Sequence, residues 1–190
     1  MEESTLIRLA SEGDAAAFNT LLGQHERRMY AVALRMCGNP EDAQDCLQEA
    51  MLRVYRAISG FKGQSSFGTW VYRVTMNTCL DELRKRKNRP NTSLDGLVDA
   101  GWSPVDESDT PERHALRVEV RASLQGFIQE LPEDMRAAIV LRDIQGYAYE
   151  EIAQMLDTNV GTIKSRISRG REKLREKIAG KSELFDKYRV

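Results

Sequence analysis

From Ala15 to about Asn88, apolar residues return every three or four positions. Phe18, Leu21, Leu22, Met29, Val32 and Met36 trace one stripe, and Leu47, Ala50, Met51, Val54, Tyr55 and Ile58 a second. Phe67, Trp70, Val71, Val74, Leu80 and Leu83 trace a third. This is the period of an α-helix, so the spacing predicts three helices. Between the first two, GNPED (Gly38 to Asp42) carries a stop and a start: glycine closes one helix, Asn39 caps the next and Pro40 opens it. SGFKGQSS (Ser59 to Ser66) reads as a glycine-punctuated loop between the second and third helices.

The pattern then lapses. Between Pro90 and Glu112 lie six acidic residues, no basic ones, three prolines and a single aromatic, Trp102. Such a stretch buries little and reads as a flexible acidic linker. Helical spacing resumes with Leu116, Val120, Leu124, Phe127 and Leu131, and LPEDM (Leu131 to Met135) breaks and restarts it with Pro132 at a helix start. No strand-like alternation of any length occurs. The expected fold is all-α: two small helical domains, 1–89 and 115–190, joined by the linker at 90–114.

The last long stripe runs through Val160, Ile163, Ile167, Gly170, Leu174 and Ile178, which must face a core. Ser165, Ser168, Arg169 and Glu172 lie opposite, with Lys164 and Arg171 on the flanks. A shorter helix, from about Tyr149 to Leu156, precedes it with Ile152, Ala153 and Leu156 turned inward. Asp157, Thr158 and Asn159 make a three-residue turn between them. Two amphipathic helices around a tight turn form a helix-turn-helix, whose second helix enters the major groove of DNA.

Charge sharpens this reading. The 190-residue chain has a formal net charge of -1, yet Val160 to Lys177 holds seven Lys or Arg against two Glu. Cations concentrated on such a helix displace counterions from phosphates. Charge alone leaves an ordinary solvated face open; the turn and the small Ser and Gly residues favour DNA. Otherwise, composition excludes more than it selects. No run reaches the roughly 20 apolar residues of a membrane span, and Met1-Glu2-Glu3-Ser4 lacks the order of a signal peptide. A cytoplasmic protein is expected. Cys37, Cys46 and Cys79 are far apart in sequence and lack CxxC spacing, so they read as buried reduced thiols. No metal and no cofactor are expected.

The third predicted helix carries a second basic surface. RKRKNR (Arg84 to Arg89) ends it, and Trp70, Arg73 and Asn77 share one of its faces beside the glycine loop. Aromatic and basic residues together suit unstacked single-stranded bases; a core role for Phe67 and Trp70 is the alternative. The second helix is the reverse. Gly38 to Leu52 has no basic residue, and Asp45, Gln48, Glu49 and Leu52 form a ridge fit for a basic protein partner or for solvent.

Asp42 to Arg84, DAQDCLQEAMLRVYRAISGFKGQSSFGTWVYRVTMNTCLDELR, resembles region two of the extracytoplasmic-function (ECF) sigma factors of bacterial RNA polymerase, in the sigma-70 family. Leu131 to Arg175, LPEDMRAAIVLRDIQGYAYEEIAQMLDTNVGTIKSRISRGREKLR, resembles their region four. The resemblance implies a dissociable specificity subunit that binds core RNA polymerase, directs it to promoter DNA and promotes melting. It implies that Asp45, Gln48, Glu49 and Leu52 dock on the clamp helices of the largest polymerase subunit. Region four would meet the flap of the second largest. By the same likeness Phe61, Lys62, Ser65, Trp70, Arg73, Asn77 and Arg84 handle the minus-ten element, the loop from Phe61 to Ser66 capturing a flipped base. Lys164, Ser165, Ser168 and Arg169 meet the minus-thirty-five element. Lys164 and Ser168 stand where some relatives carry an arginine and an aromatic, so the recognised upstream sequence is this chain's own. The linker's carboxylates would mimic phosphates along the polymerase's RNA exit path. An anti-sigma protein is the implied controller, with no membrane insertion and no obligate homo-oligomer.

Two rivals are weaker. A stand-alone helix-turn-helix transcription regulator needs a dimer interface and a sensor pocket, and the sequence offers neither. An enzyme needs a convergent site, but Glu150 and Glu151 point about 100° apart on a helix, and no phosphate loop, nucleophile elbow or Cys-His pairing is present.

Overall fold

The structure, a computed structural model, describes residues 1–87 and 110–189. Residues 90–109 of the expected linker, Trp102 among them, and the last two residues of RKRKNR lie outside the described residues. Among the described residues every regular element is helical. The chain divides into two units, Met1–Pro90 and Asn91–Val190.

The first unit has four helices: α1 (Glu3–Ser11), α2 (Ala15–Cys37), α3 (Pro40–Ala57) and α4 (Phe67–Lys87), with a 3₁₀ turn at Ile58–Gly60. Three were expected; α1 was not. Only Leu6 and Ala10 of α1 are buried, too few to show a period in the sequence. Its packing is tertiary: α1 lies on α2, and the Ser11 hydroxyl donates to the carbonyls of Ile7 and Ile58. The α2–α3 corner is built as its residues dictate. Gly38 closes α2 at φ 85°, a left-handed angle only glycine adopts cheaply. The Asn39 side chain accepts from the Asp42 amide, and Pro40 opens α3. Leu21, Met29, Val32, Met36, Leu47, Ala50, Val54, Phe67, Val71 and Met76 fill the core where α2, α3 and α4 meet.

Ion pairs tie α3 to α4 around that core. Arg53 bonds Glu49 at 3.0 Å and Asp81 at 2.8 Å, and Arg86 pairs with Asp42 and Glu82. Burial pushes the Asp42 carboxyl up, but the hydrogen bonds from Arg86 and Asn39 outweigh it and hold the group below its usual range.

The second unit comprises α5 (Pro111–Gln129), α6 (Glu133–Ile139) running into a π-helical turn at Val140–Ile144, α7 (Tyr149–Met155), α8 (Val160–Ala179) and α9 (Ser182–Arg189). Helix α5 begins inside the expected linker, because Thr110 caps it by accepting from the Arg113 amide. Pro132 precedes α6 as its cap instead of starting it. Arg136, buried, closes the α5–α6 corner. Its guanidinium donates to the side chain and carbonyl of Gln129 and to the Leu131 carbonyl, groups that the end of α5 leaves without intrahelical partners. Helix α9, also unforeseen, returns to α5, setting Phe185 6.3 Å from Phe127.

Helix α8 packs closely on α6 at Gly170. A Cβ there would stand 2.9 Å from Ile139 Cγ1, and Ile139 is itself buried. Gly170→Val should therefore cost about 1–3 kcal/mol by overpacking, more than the few tenths of a kcal/mol it gains in helix propensity. A urea titration followed by circular dichroism checks this.

In the first unit, His25 Nδ1 lies 3.0 Å from the Tyr72 hydroxyl, and Nε2 lies 3.9 Å from Glu3. Burial lowers the imidazole pKa below 6.5; Glu3 opposes the shift and Arg28 reinforces it. The folded chain then holds fewer protons than the unfolded chain just below pH 6.5. The stability due to neutral His25 is present above pH 6.5 and drains away as pH falls through the lower folded value. The melting temperature should drop over that window, and His25→Gln should flatten the drop.

Candidate nucleic-acid interface

Asp157, Thr158 and Asn159 turn the chain from α7 into α8. Asp157 adopts φ 46°, and the Asn159 side chain caps α8 by accepting from the Thr162 amide at 2.7 Å. Ile163, Ile167 and Gly170 are buried in the unit's core. With that stripe fixed inward, Ser165, Ser168 and Arg169 are exposed on the opposite face and Lys164 is exposed on the flank, as the sequence reading placed them. The Ser165 hydroxyl donates to the Thr162 carbonyl at 2.9 Å, leaving its oxygen to accept. Lys164 reaches over the Tyr149 ring at 6.0 Å, and Arg142 stacks on the same ring at 4.7 Å.

The positive charge of α8 divides in two, a division the sequence hid. Arg166 pairs with Asp134, Arg171 with Asp143 and Lys177 with Glu130, each bracing α8 against the rest of its unit. The remaining cations include Lys164 and Arg169, on the exposed face.

In the first unit, Phe61 is half-buried between two rings, 5.1 Å from Trp70 and 5.7 Å from Phe67. This cluster pins the start of the loop. Lys62 and Ser65 are exposed beyond it, with Gly63 at φ 67°. Ser66 ends the loop as a cap, accepting from the Thr69 amide. The expectation of a stacking platform at Trp70 is corrected here. Trp70 is 8% exposed, and its ring is spent on packing Phe61 and Phe67. Sharing a helical face with Arg73 did not make Trp70 accessible, because the loop folds back over it. Arg73 and Arg84 are exposed and Asn77 is half-buried. These three positions fall within 40° of one another on α4 and span about 16 Å.

On α3, Asp45 and Gln48 are exposed, and Leu52 is 49% exposed. Tyr55, 52% exposed, extends this ridge and was read from the sequence as core. Its ring edge meets Phe18 at 5.0 Å. Glu49 is half-buried and engaged by Arg53.

The pattern of Sigma-70 region 2 matches residues 21–89, and that of Sigma-70, region 4 matches residues 121–174. The chain is 37% identical over 175 residues to the RNA polymerase sigma-H factor of Pseudomonas aeruginosa, covering 90% of this chain and 91% of that one. It is 35% identical over 182 residues to the ECF RNA polymerase sigma-E factor of Escherichia coli K12, covering 94% and 95%. The chain belongs to the ECF sigma factors. Among solved structures, the Bartonella quintana sigma factor RpoE, co-crystallised with the anti-sigma factor NepR, superposes with a TM-score of 0.67 at 22% identity. That match covers 85% of this chain and 96% of RpoE. CnrH, in complex with the cytosolic domain of CnrY, superposes at 0.63 with 25% identity, covering 94% and 97%.

As an alternative sigma factor the protein directs RNA polymerase and is an initiation factor, not an enzyme. No helix among the described residues is long and apolar enough to cross a membrane. The loop, α3 and the α4 stripe all fall within the region-2 match, and the exposed face of α8 falls within the region-4 match.

Different consequences follow for the two kinds of residue on α4. Trp70→Ala should lower the stability of the first unit by about 3–5 kcal/mol, as for other buried aromatics. Arg73→Ala should shift it by no more than about 0.5 kcal/mol. Chemical denaturation of the two variants side by side is the check.

Proposed function

We propose that this sigma factor divides promoter recognition among three surfaces. The α3 ridge of Asp45, Gln48, Glu49 and Leu52, extended by Tyr55, docks on the clamp helices of the largest polymerase subunit. The loop bearing Phe61, Lys62 and Ser65 captures a base unstacked from the minus-ten element, while Arg73, Asn77 and Arg84 track the melted strand. Trp70 serves that surface from beneath, by holding Phe61. Lys164, Ser165, Ser168 and Arg169 read the minus-thirty-five element. Domains at 1–89 and 111–190 do this work across the linker at 90–110, with the second also meeting the polymerase flap. The setting is the cytoplasm. An anti-sigma protein is its controller, by analogy with RpoE, which was co-crystallised with the anti-sigma factor NepR.

The observation that carries the reading is the sorting of side chains on α8. Its apolar stripe is locked in a core by the approach at Gly170, and three of its cations are paired internally. What remains outward is a short polar and basic patch on the second helix of a helix-turn-helix, the geometry of a major-groove reader. Arg169 can present its fork to guanine O6 and N7, Ser165 can accept from a base amino group, and Lys164 supplies a less directional charge.

Run-off transcription with purified core polymerase on a pool of promoter fragments tests it. The expected result is promoter-specific transcripts with core present and feeble duplex binding by the sigma factor alone. Arg169→Ala should cut discrimination at one upstream position by about 1–3 kcal/mol while sparing promoters already mismatched there. Equal loss on every sequence would reduce Arg169 to a phosphate contact. Strong sequence-specific binding without polymerase would point instead to a stand-alone regulator.

A further inference from the structure

All three thiols of this chain meet at one point. Cys37 ends α2, Cys46 lies on α3 and Cys79 on α4, and their sulfurs all lie within 4.8 Å of one another. Cys37 Sγ is 3.4 Å from Cys46 Sγ. The cluster is buried: Cys79 is 0% exposed, Cys46 2% and Cys37 8%. Small apolar packing explains any one of them. It does not explain why three different helices each bring a cysteine, and the only cysteines of the chain, to the same layer. The sequence reading placed them far apart and expected no metal; the fold brings them together.

We propose that Cys37, Cys46 and Cys79 form a site for one thiophilic metal or metalloid ion held by three sulfurs. The geometry fits such an ion. Three sulfurs in a plane about an ion at roughly 2.3 Å, the usual zinc–sulfur distance, stand about 4.0 Å apart, between the 3.4 Å and 4.8 Å seen here. A disulfide would use two of the sulfurs and leave the third without a role.

The surroundings favour some ions over others. Asp42 precedes Cys46 by one helical turn, Arg86 follows Cys79 by two, and these two residues pair with each other beside the cluster. The Arg86 guanidinium and the Asp42 carboxylate act electrostatically on Cys46 in opposite senses. Uncompensated charge in a core is costly. Arsenic(III) with three thiolates is neutral: As(OH)₃ exchanges three As–O bonds for three As–S bonds, and three waters leave. A divalent ion such as cadmium(II) displaces three thiol protons to solvent and leaves one negative charge, beside an Asp42–Arg86 pair whose own charges offset each other. Copper(I) leaves two. The order expected is arsenic(III), then cadmium(II), then copper(I). Entry lies at Cys37, the most exposed of the three, beside the Gly38–Asn39 corner.

The full-length reduced chain, offered arsenite, cadmium(II) or copper(I) separately, tests the site without reference to promoter binding. One bound ion per chain, with three thiols lost together to a thiol reagent and regained on removing the ion, is expected for arsenite and cadmium(II). At a hundredfold excess over its dissociation constant, the ion should raise the melting temperature of the first unit by roughly 10–20 °C. Cys79→Ala, checked for folding by its melt, should weaken binding at least tenfold. The proposal fails if bound ion leaves the three thiols reactive, or if folded Cys79→Ala binds as tightly as the parent. It also fails if none of the three ions is retained while mild oxidation links Cys37 to Cys46.

Discussion

A helix can present a reading face to DNA only if its other face is held still, and in α8 that restraint comes from a close approach. Gly170 lets the helix backbone settle against Ile139, with Ile163 and Ile167 buried in the same core. The rotation of α8 about its axis is thereby fixed. Rotation decides everything outward: Ser165, Ser168 and Arg169 emerge together because they lie opposite that seam, with Lys164 exposed on their flank. A bulkier residue at 170 would leave those side chains chemically intact and physically misdirected. The same logic holds at the start of the helix, where Asn159 and the left-handed Asp157 set the direction in which α8 leaves the turn.

Local chemistry made much of this legible in the sequence. Stripes of three-four spacing gave α2, α3, α4 and α8 their faces, and Gly38, Asn39 and Pro40 marked a corner whose mechanism is carried by those residues alone. The outward face of α8 followed from its inward one. What stayed hidden depends on pairs distant in the chain. Helices α1 and α9 are short, and their stability comes from what they lie on. Arg136 looks like any surface arginine until the carbonyls at the end of α5 fold around it. Trp70 shares a helical face with Arg73, yet a loop some six residues earlier covers it. Tyr55 fits an apolar period but is half outside. The thiol cluster joins residues 37, 46 and 79, a meeting that no spacing rule announces. The assignment to sigma factors rested on long stretches of resemblance, because helix-turn-helix geometry alone does not say what DNA binding accomplishes.

Charge is sorted in the same way in both units, which explains how a chain of net charge -1 serves a polyanion. In the first unit, Arg53 and Arg86 are drawn into carboxylates that stitch α3 to α4, while Arg73 and Arg84 stay on the surface. In the second, Arg166, Arg171 and Lys177 stitch α8 to its neighbours, while Lys164 and Arg169 face out. Exposed ion pairs of this kind contribute little stability each, about 0–1 kcal/mol. Their larger effect is subtractive: every cation held by a carboxylate is one fewer to attract phosphate without regard to sequence. The non-specific, salt-sensitive part of DNA binding grows with the number of phosphates neutralised. Holding some of its cations in such pairs keeps that part smaller than the number of Lys and Arg alone would make it. On the proposed reading, discrimination rests on a few directional groups on α8, and opening on the loop beside Phe61, instead of on bulk attraction to any duplex.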